Sequence, residues 1–194
     1  RGATSRRTRN PKLRALNMKV FITGTSGVGK TTLIDELARR SYVAFNTDDI
    51  PGATRLEIKA TGQAVEWPTG YVDWQKYAWN WQDAKLKELL SSADLVFIGA
   101  IVGNWTVYAS LFDKIFVLTV DDDILNKRLS NLERHEHQQD PANIKKMIEM
   151  NQLKQKQFID AGAIPLDANQ PVEKIADDLI EALQAAEHEL LSAD

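Results

Sequence analysis

Eight consecutive residues constrain this chain more than any others: Gly24, Thr25, Ser26, Gly27, Val28, Gly29, Lys30 and Thr31 satisfy G-x-x-x-x-G-K-[ST]. The context is the one such a loop needs. Lys19 to Thr23 is a short apolar run rich in β-formers, and Leu33, Ile34, Leu37 and Ala38 follow at helical spacing. In a strand–loop–helix of this kind the glycines allow successive N–H groups to point inward, and the start of the helix adds its partial positive charge. The ligand such a cradle fits is a phosphate chain. Lys30 would reach the β- and γ-phosphates, the Thr31 hydroxyl would ligate Mg²⁺, and Thr32 would meet the α-phosphate. ATP with Mg²⁺ is therefore the expected cofactor.

The rest of the chain alternates in the same way. Tyr42 to Phe45, Asp94 to Ile98, Ile115 to Val120 and Ala163 to Leu166 read as strands, the second nearly all apolar, as a parallel strand covered on both faces should be. Helical patterns are expected over about 73–92, 104–111, 121–135 and 141–160. A last helix opens near Pro171, with Val172, Ile175, Ala176, Leu179, Ile180 and Leu183 in one stripe. Strands alternating with helices predict a three-layer α/β/α fold around a five-stranded parallel sheet. Residues 51–72, broken by Pro51, Gly52, Gly62, Pro68 and Gly70, read as an irregular insertion over the site.

Composition narrows the partners. A length of 194 residues suits one domain, no cysteine excludes thiolate chemistry, and three scattered histidines are too few for a convincing zinc site. No apolar run approaches the roughly 18 residues of a membrane span, and no signal-peptide hydrophobic region precedes the first strand, so the expected setting is cytoplasmic. The net charge of −3 hides an asymmetry: six of the 24 basic residues lie in 1–17 with no acid, leaving 18 basic and 27 acidic residues, or −9, for the remainder. That balance argues against nucleic acid as a partner. The basic tail 1–17 is expected to lie outside the folded domain, which would span 18–194 from a natural start at Met18.

The loop, a short second strand ending near Asp48, the insertion and an arginine-bearing helix after the fourth strand together resemble the nucleoside-monophosphate-kinase and shikimate-kinase-like branch of P-loop proteins. The resemblance spans about 18–185 and is strongest to small bacterial ATP-binding proteins grouped as AAA or shikimate-kinase-like. It implies the strand order 2-3-1-4-5, an acceptor-side segment at 51–72, a lid at about 121–145, and phosphoryl transfer to a small acceptor. It also implies an acid-x-acid pair after the second strand. This chain departs from that pattern, with Asn46 on the metal side and Asp48 on the acceptor side, and Asp49 in reserve. Arg128 and Arg134 stand where the family places lid arginines, which makes Lys30, Asp48, Arg128 and Arg134 the expected catalytic set. His135 and His137, close by, read as surface residues.

Four of the five tryptophans fall within 67–81. Trp74, Tyr77, Ala78 and Trp81 keep helical spacing and suit an amphipathic helix, whereas Trp67 and Tyr71, in irregular sequence, are better placed to stack on an acceptor. Position at the carboxyl edge of the sheet adds Asn104 and Tyr108 on the acceptor side and Asp167 and Asn169 near the adenine, the latter pair equally suited to capping the final helix. A kinase is the leading reading; the acceptor is a nucleoside or nucleotide, or a small hydroxylated metabolite. The alternative is a switch-type ATPase without a small acceptor, but Asn126-Lys127 is followed by Arg128 and Leu129 rather than by a guanine-reading motif. The third strand also runs into Gly99 and Ala100, without paired acids. A nucleotide-binding protein that has lost turnover draws on Asn46, and on that view Asn46→Asp should raise phosphotransfer in an ATP-consumption assay.

Overall fold

The computed structural model describes residues 17–68, 72–130 and 141–192. Five parallel strands form the sheet: β1 (Met18–Thr23), β2 (Val43–Asn46), β5 (Leu95–Gly99), β6 (Lys114–Thr119) and β7 (Ile164–Asp167), in the order β2-β5-β1-β6-β7. Counted among themselves these strands run 2-3-1-4-5, as the resemblance implies. The numbering skips because β3 (Thr54–Ile58) and β4 (Tyr77–Trp81) form a separate antiparallel pair. The helices are α1 (Lys30–Arg39), α2 (Asp83–Leu90), α3 (Trp105–Tyr108), α4 (Asp122–Leu129), α5 (Pro141–Asp160) and α6 (Val172–Ser192). Among the described residues, no helix is long and apolar enough to cross a membrane.

Period-two alternation assigns the sheet residues to two cores. Val20 and Ile22 of β1, Leu95 and Phe97 of β5, and Phe116 and Leu118 of β6 face α1, α4 and α6. Phe21, Val96, Ile98 and Val117, one residue out of phase, face α2, Trp81, Phe112 and Phe158. Buried on both sides, these strands are uniformly apolar, which is why their positions were readable in advance. Gly99 closes β5 because a Cβ there would come within 2.7 Å of Ile34.

The hairpin departs from the sequence expectation. The stretch 51–72 contains β3, and the helix expected over 73–92 is divided into β4 and the shorter α2. Helical spacing of Trp74, Tyr77, Ala78 and Trp81 lost to pairing: Tyr77, Trp79 and Trp81 are β-formers, and each finds a register partner on β3, Trp81 opposite Thr54 and Trp79 opposite Leu56. Trp81 then fastens the hairpin to the main sheet. Its buried ring lies 4.8 Å from that of Phe21, and its Nε1 donates to Thr47 Oγ1 at 3.0 Å. The pattern expected at 104–111 appears as α3 followed by a 3₁₀ turn, and that at 121–135 as α4, with 131–135 outside the described residues.

The C-terminal end of α1 is tied to α6 by charge. Glu36, buried, accepts from Arg39 Nε at 2.6 Å and from Arg40 Nε at 2.6 Å, while Arg40 also pairs with Asp177 at 2.5 Å and donates to the Glu173 carbonyl. The Arg39 hydrogen bond chiefly, opposed by burial and reinforced by Arg40, holds the Glu36 carboxyl down to about 2 from an ordinary 4.5. Because the folded value is the lower one, the stabilisation is complete above the unfolded value and is lost as pH falls through the folded one. Glu36→Gln is expected to lower the urea midpoint at pH 7, with the gap to wild type closing between pH 4.5 and about 2; an equal gap at both ends would show that the carboxylate charge is not the source.

Candidate functional site

The loop between β1 and α1 lies at the carboxyl edge of the sheet, where open α/β folds bind ligands. Its turn requires missing side chains: Gly27 sits at φ 90°, and a Cβ there would come within 2.8 Å of Leu129. Gly24, at φ 144°, would likewise press on Val28 and on the Leu118 carbonyl. Lys30 opens α1, and its ammonium donates to the Gly24 carbonyl at 2.8 Å and to the Thr25 carbonyl at 3.0 Å, so the charge lies over the loop itself. Gly24 to Thr32 thus take the strand–loop–helix arrangement that the motif implies.

Across the cleft, β2 ends in the 3₁₀ turn Thr47–Asp49, which carries both candidate acids. Thr47, fully buried, anchors it: the hydroxyl accepts from Trp81 and donates to the Gly99 carbonyl at 3.4 Å. Asp48 Oδ1 accepts the Trp79 indole N–H at 2.7 Å. Solvent reaches Asp48, yet protein crowds its carboxyl enough that lost hydration raises its pKa above the ordinary carboxylate value; the Trp79 bond and the Lys30 charge oppose this and Asp49 adds to it. Lys30 and Asp48 therefore feel one another across the same cleft.

Asn46 lies between the two sides. Its Nδ2 donates to Asp49 Oδ2 at 2.6 Å and approaches Thr31 Oγ1 at 3.3 Å. The negative charge absent at 46 is supplied three residues on by the turn, so Asn46→Asp would set two carboxylates against each other rather than restore a missing one. The hydroxyl, carboxylate and amide oxygen of Thr31, Asp49 and Asn46 are the donor types a hard divalent cation takes. Among the described residues no group of three His, Cys, Asp or Glu side chains could hold a metal alone.

Arg128 lies against the loop and is bonded to backbone. Its Nη1 donates to the Val28 carbonyl and its Nη2 to the Ala168 carbonyl, both at 2.8 Å, so the guanidinium fork joins the loop to the segment after β7. In that segment Asp167 accepts from the Asn169 backbone N–H, and Asn169 Oδ1 accepts from the Asp121 N–H. Asn169 thus joins two loops rather than capping α6. Asn104 is also committed elsewhere, exchanging two 3.0 Å bonds with the backbone of Trp81. Tyr108 packs on Trp81, with a pKa raised by burial first and then by Asp83. Trp67 is 48% exposed, and Tyr71, Arg134, His135 and His137 lie outside the described residues.

Two residues escaped the sequence reading. Asn151, fully buried on α5, accepts from Thr25 Oγ1 at 2.6 Å and donates to the Val120 carbonyl at 3.1 Å, so a distant helix holds the phosphate-binding loop. An asparagine in a 20-residue helix carries no motif; only its failure to fit a solvated face marks it. Lys154, one turn on, has its pKa lowered by burial and by the charge of Lys59 on the hairpin, and no acid pairs with it among the described residues. It is a half-buried cation on the helix that braces the loop.

A family model described as an AAA domain matches residues 20–155, and the chain belongs to that family. A search of curated proteins finds no match to the sequence. Among solved structures, a gluconokinase from Sinorhizobium meliloti 1021 superposes with a TM-score of 0.57 at 14% identity, covering 93% of this chain and 99% of that one. A shikimate kinase from Acinetobacter baumannii in complex with shikimate gives a TM-score of 0.57 at 14% identity, over 90% and 97%. A deoxyadenosine kinase from M. mycoides with bound dATP gives 0.51 at 14%, over 86% and 99%. The fold is that of P-loop kinases of the nucleoside-monophosphate-kinase and shikimate-kinase-like branch.

Removing the Asn151 side chain takes away the partner of the Thr25 hydroxyl and one of two donors to the Val120 carbonyl, which keeps Gln155. Asn151→Ala is expected to cost about 1–3 kcal/mol in chemical denaturation. In a double-mutant cycle, Thr25→Val added to Asn151→Ala should cost clearly less than it does alone; strict additivity would show that the two do not act together.

Proposed function

We propose that this chain is an ATP-dependent kinase that moves the γ-phosphoryl group onto a hydroxyl of a small acceptor. One observation carries the reading: Asp48, on the turn after β2, lies within electrostatic reach of Lys30, so a phosphate-side cation and an acceptor-side carboxylate face one cleft. In the reaction the acceptor oxygen forms a bond to the γ-phosphorus as the bond to the β–γ bridging oxygen breaks, and ADP leaves. Asp48 orients the acceptor hydroxyl and takes its proton. Lys30 neutralises charge on the β- and γ-phosphates, and the inward amides of Gly24 to Thr31 position the phosphate chain.

Thr31, Asn46 and Asp49 are the residues that would hold Mg²⁺, which when bound supplies further neutralisation of phosphate charge. Arg128 acts here by shaping the loop, through Val28 and Ala168. The lid expected at about 121–145 lies in part, with Arg134, outside the described residues.

The decisive experiment is ATP consumption with Mg²⁺ against pooled nucleosides, nucleotides and hydroxylated acids. Acceptor-dependent ADP release is expected, falling by about 100-fold or more in Lys30→Ala, the scale of losing one pre-set charge-stabilising donor. Hydrolysis indifferent to every acceptor would instead identify a switch-type ATPase. A pH profile supplies an independent check. Asp48 must be ionised to accept a proton and its pKa is raised, so the acid limb of kcat/KM should lie above the ordinary carboxylate value of 3.8 and disappear in Asp48→Asn. An acid limb unchanged in that variant would remove Asp48 from the role of base.

A further inference from the structure

The hairpin exposes large apolar rings next to the candidate base. Trp67 and Trp74 are 48% and 46% exposed, a costly arrangement for two indoles unless a ligand covers them. They are not loose. Trp67 meets Trp79 edge to face at 5.5 Å and 79°, and meets Trp74 at 6.1 Å and 69°. Lys59 Nζ donates to the Trp74 carbonyl at 2.6 Å, and the Lys59 N–H to the Lys76 carbonyl, so both arms of the hairpin hold the ladder in place. An edge-to-face contact covers only one face of one ring, and the exposure of Trp67 and Trp74 leaves ring surface open. The ladder ends at Trp79, whose indole N–H is the one bonded to Asp48.

Two of the polar side chains nearby are engaged by the protein itself, while the Asn80 amide oxygen is buried without a partner among the described residues. Glu57 accepts from Asn80 at 2.7 Å, from Gln82 at 3.1 Å and from Arg55 at 2.6 Å, and both ends of the Asn104 amide go to Trp81. A linear polyhydroxylated acid would need such groups unpaired, because each buried hydroxyl left without a partner is costly. A flat heterocycle needs a ring face, which the ladder offers. We propose that Trp67, Trp74 and Trp79 form a stacking surface selecting an acceptor with a planar ring, of the nucleoside type, and that Trp79 is a positioning residue linking the seated ring to Asp48.

The inference rests on the kinase reading, so its test has a binding arm and a turnover arm. With the nucleotide site first filled by ADP and Mg²⁺, tryptophan emission is titrated with adenosine, uridine, shikimate and gluconate. Saturable quenching by a nucleoside and none by the two acids is expected. Trp67→Ala should weaken that binding about 5- to 150-fold, the range of base–aromatic stacking, while Trp67→Phe recovers most of it and ADP affinity stays unchanged. Trp74→Ala, at the far end of the ladder, provides a second variant should Trp67→Ala not fold. Trp79→Phe, which keeps a ring but loses the N–H, should lower kcat for the preferred acceptor with little change in its KM. Nucleoside quenching without turnover would support the stacking surface and remove the kinase reading. Phosphorylation of gluconate or shikimate that is indifferent to Trp67→Ala would keep the kinase and overturn the stacking surface.

Discussion

The reversal between β1 and α1 is the constraint on which the rest of the site depends. A loop whose amides converge on one point cannot satisfy its own carbonyls by regular pairing, so its conformation has to be held from outside. Three contacts do this. Arg128 takes the Val28 carbonyl, Asn151 takes the Thr25 hydroxyl, and Lys30 itself covers the Gly24 and Thr25 carbonyls. They come from α4, α5 and α1, so the two helices between β6 and β7 and the helix that the loop itself opens converge on one loop. Leu125 and Leu129 of α4, which a Cβ at Gly27 would strike, show how closely the loop is packed on that side.

The charge layout follows from that convergence. Arg128 is committed to two neutral carbonyls and serves geometry, although its place on the helix after β6 suggested a role in charge stabilisation. Lys30 is the cation at the loop, and Lys154 is set on the same helix as Asn151, where burial and Lys59 both act against its charge. A partly desolvated cation such as Lys154 is stabilised when an anion approaches. Arg128 and Asn151 thus brace the loop through neutral groups, while Lys30 brings the charge to it.

Legibility in the sequence followed the strength of local constraint. The β1 loop was readable because an eight-residue spacing, a preceding strand and a following helix all demand the same geometry, and the central strands β1, β5 and β6 were readable because burial on both faces leaves a nearly continuous apolar run. The hairpin was not. Tyr77 to Trp81 is short, aromatic and compatible with either period, and what decided it was pairing with Thr54–Ile58, a contact across the 51–72 stretch that no local pattern announces. The same limit applied at the site. Asp48, Asp49 and Trp67 could be nominated from position along the chain, but Asn104 and Arg128 were assigned by position alone, and each proved to be bonded to a backbone that only the folded chain brings near.

The Asn46 substitution illustrates how such a departure can be absorbed. An acid at the end of β2 would bring its charge to Thr31 directly, whereas here the charge comes from Asp49 on a 3₁₀ turn, relayed through the Asn46 amide. That turn is also where Asp48 resides, and Thr47 beneath it is fixed by Trp81 and by the Gly99 carbonyl. One tryptophan of β4 therefore holds the turn in place while another, two residues earlier, holds the carboxylate that the turn presents. Because side chains two apart on a strand share a face, the hairpin can grip the turn twice from one side. The acids after β2 are thus positioned less by the strand that carries them than by the tryptophans opposite, and any motion of the hairpin must move Asp48 with it.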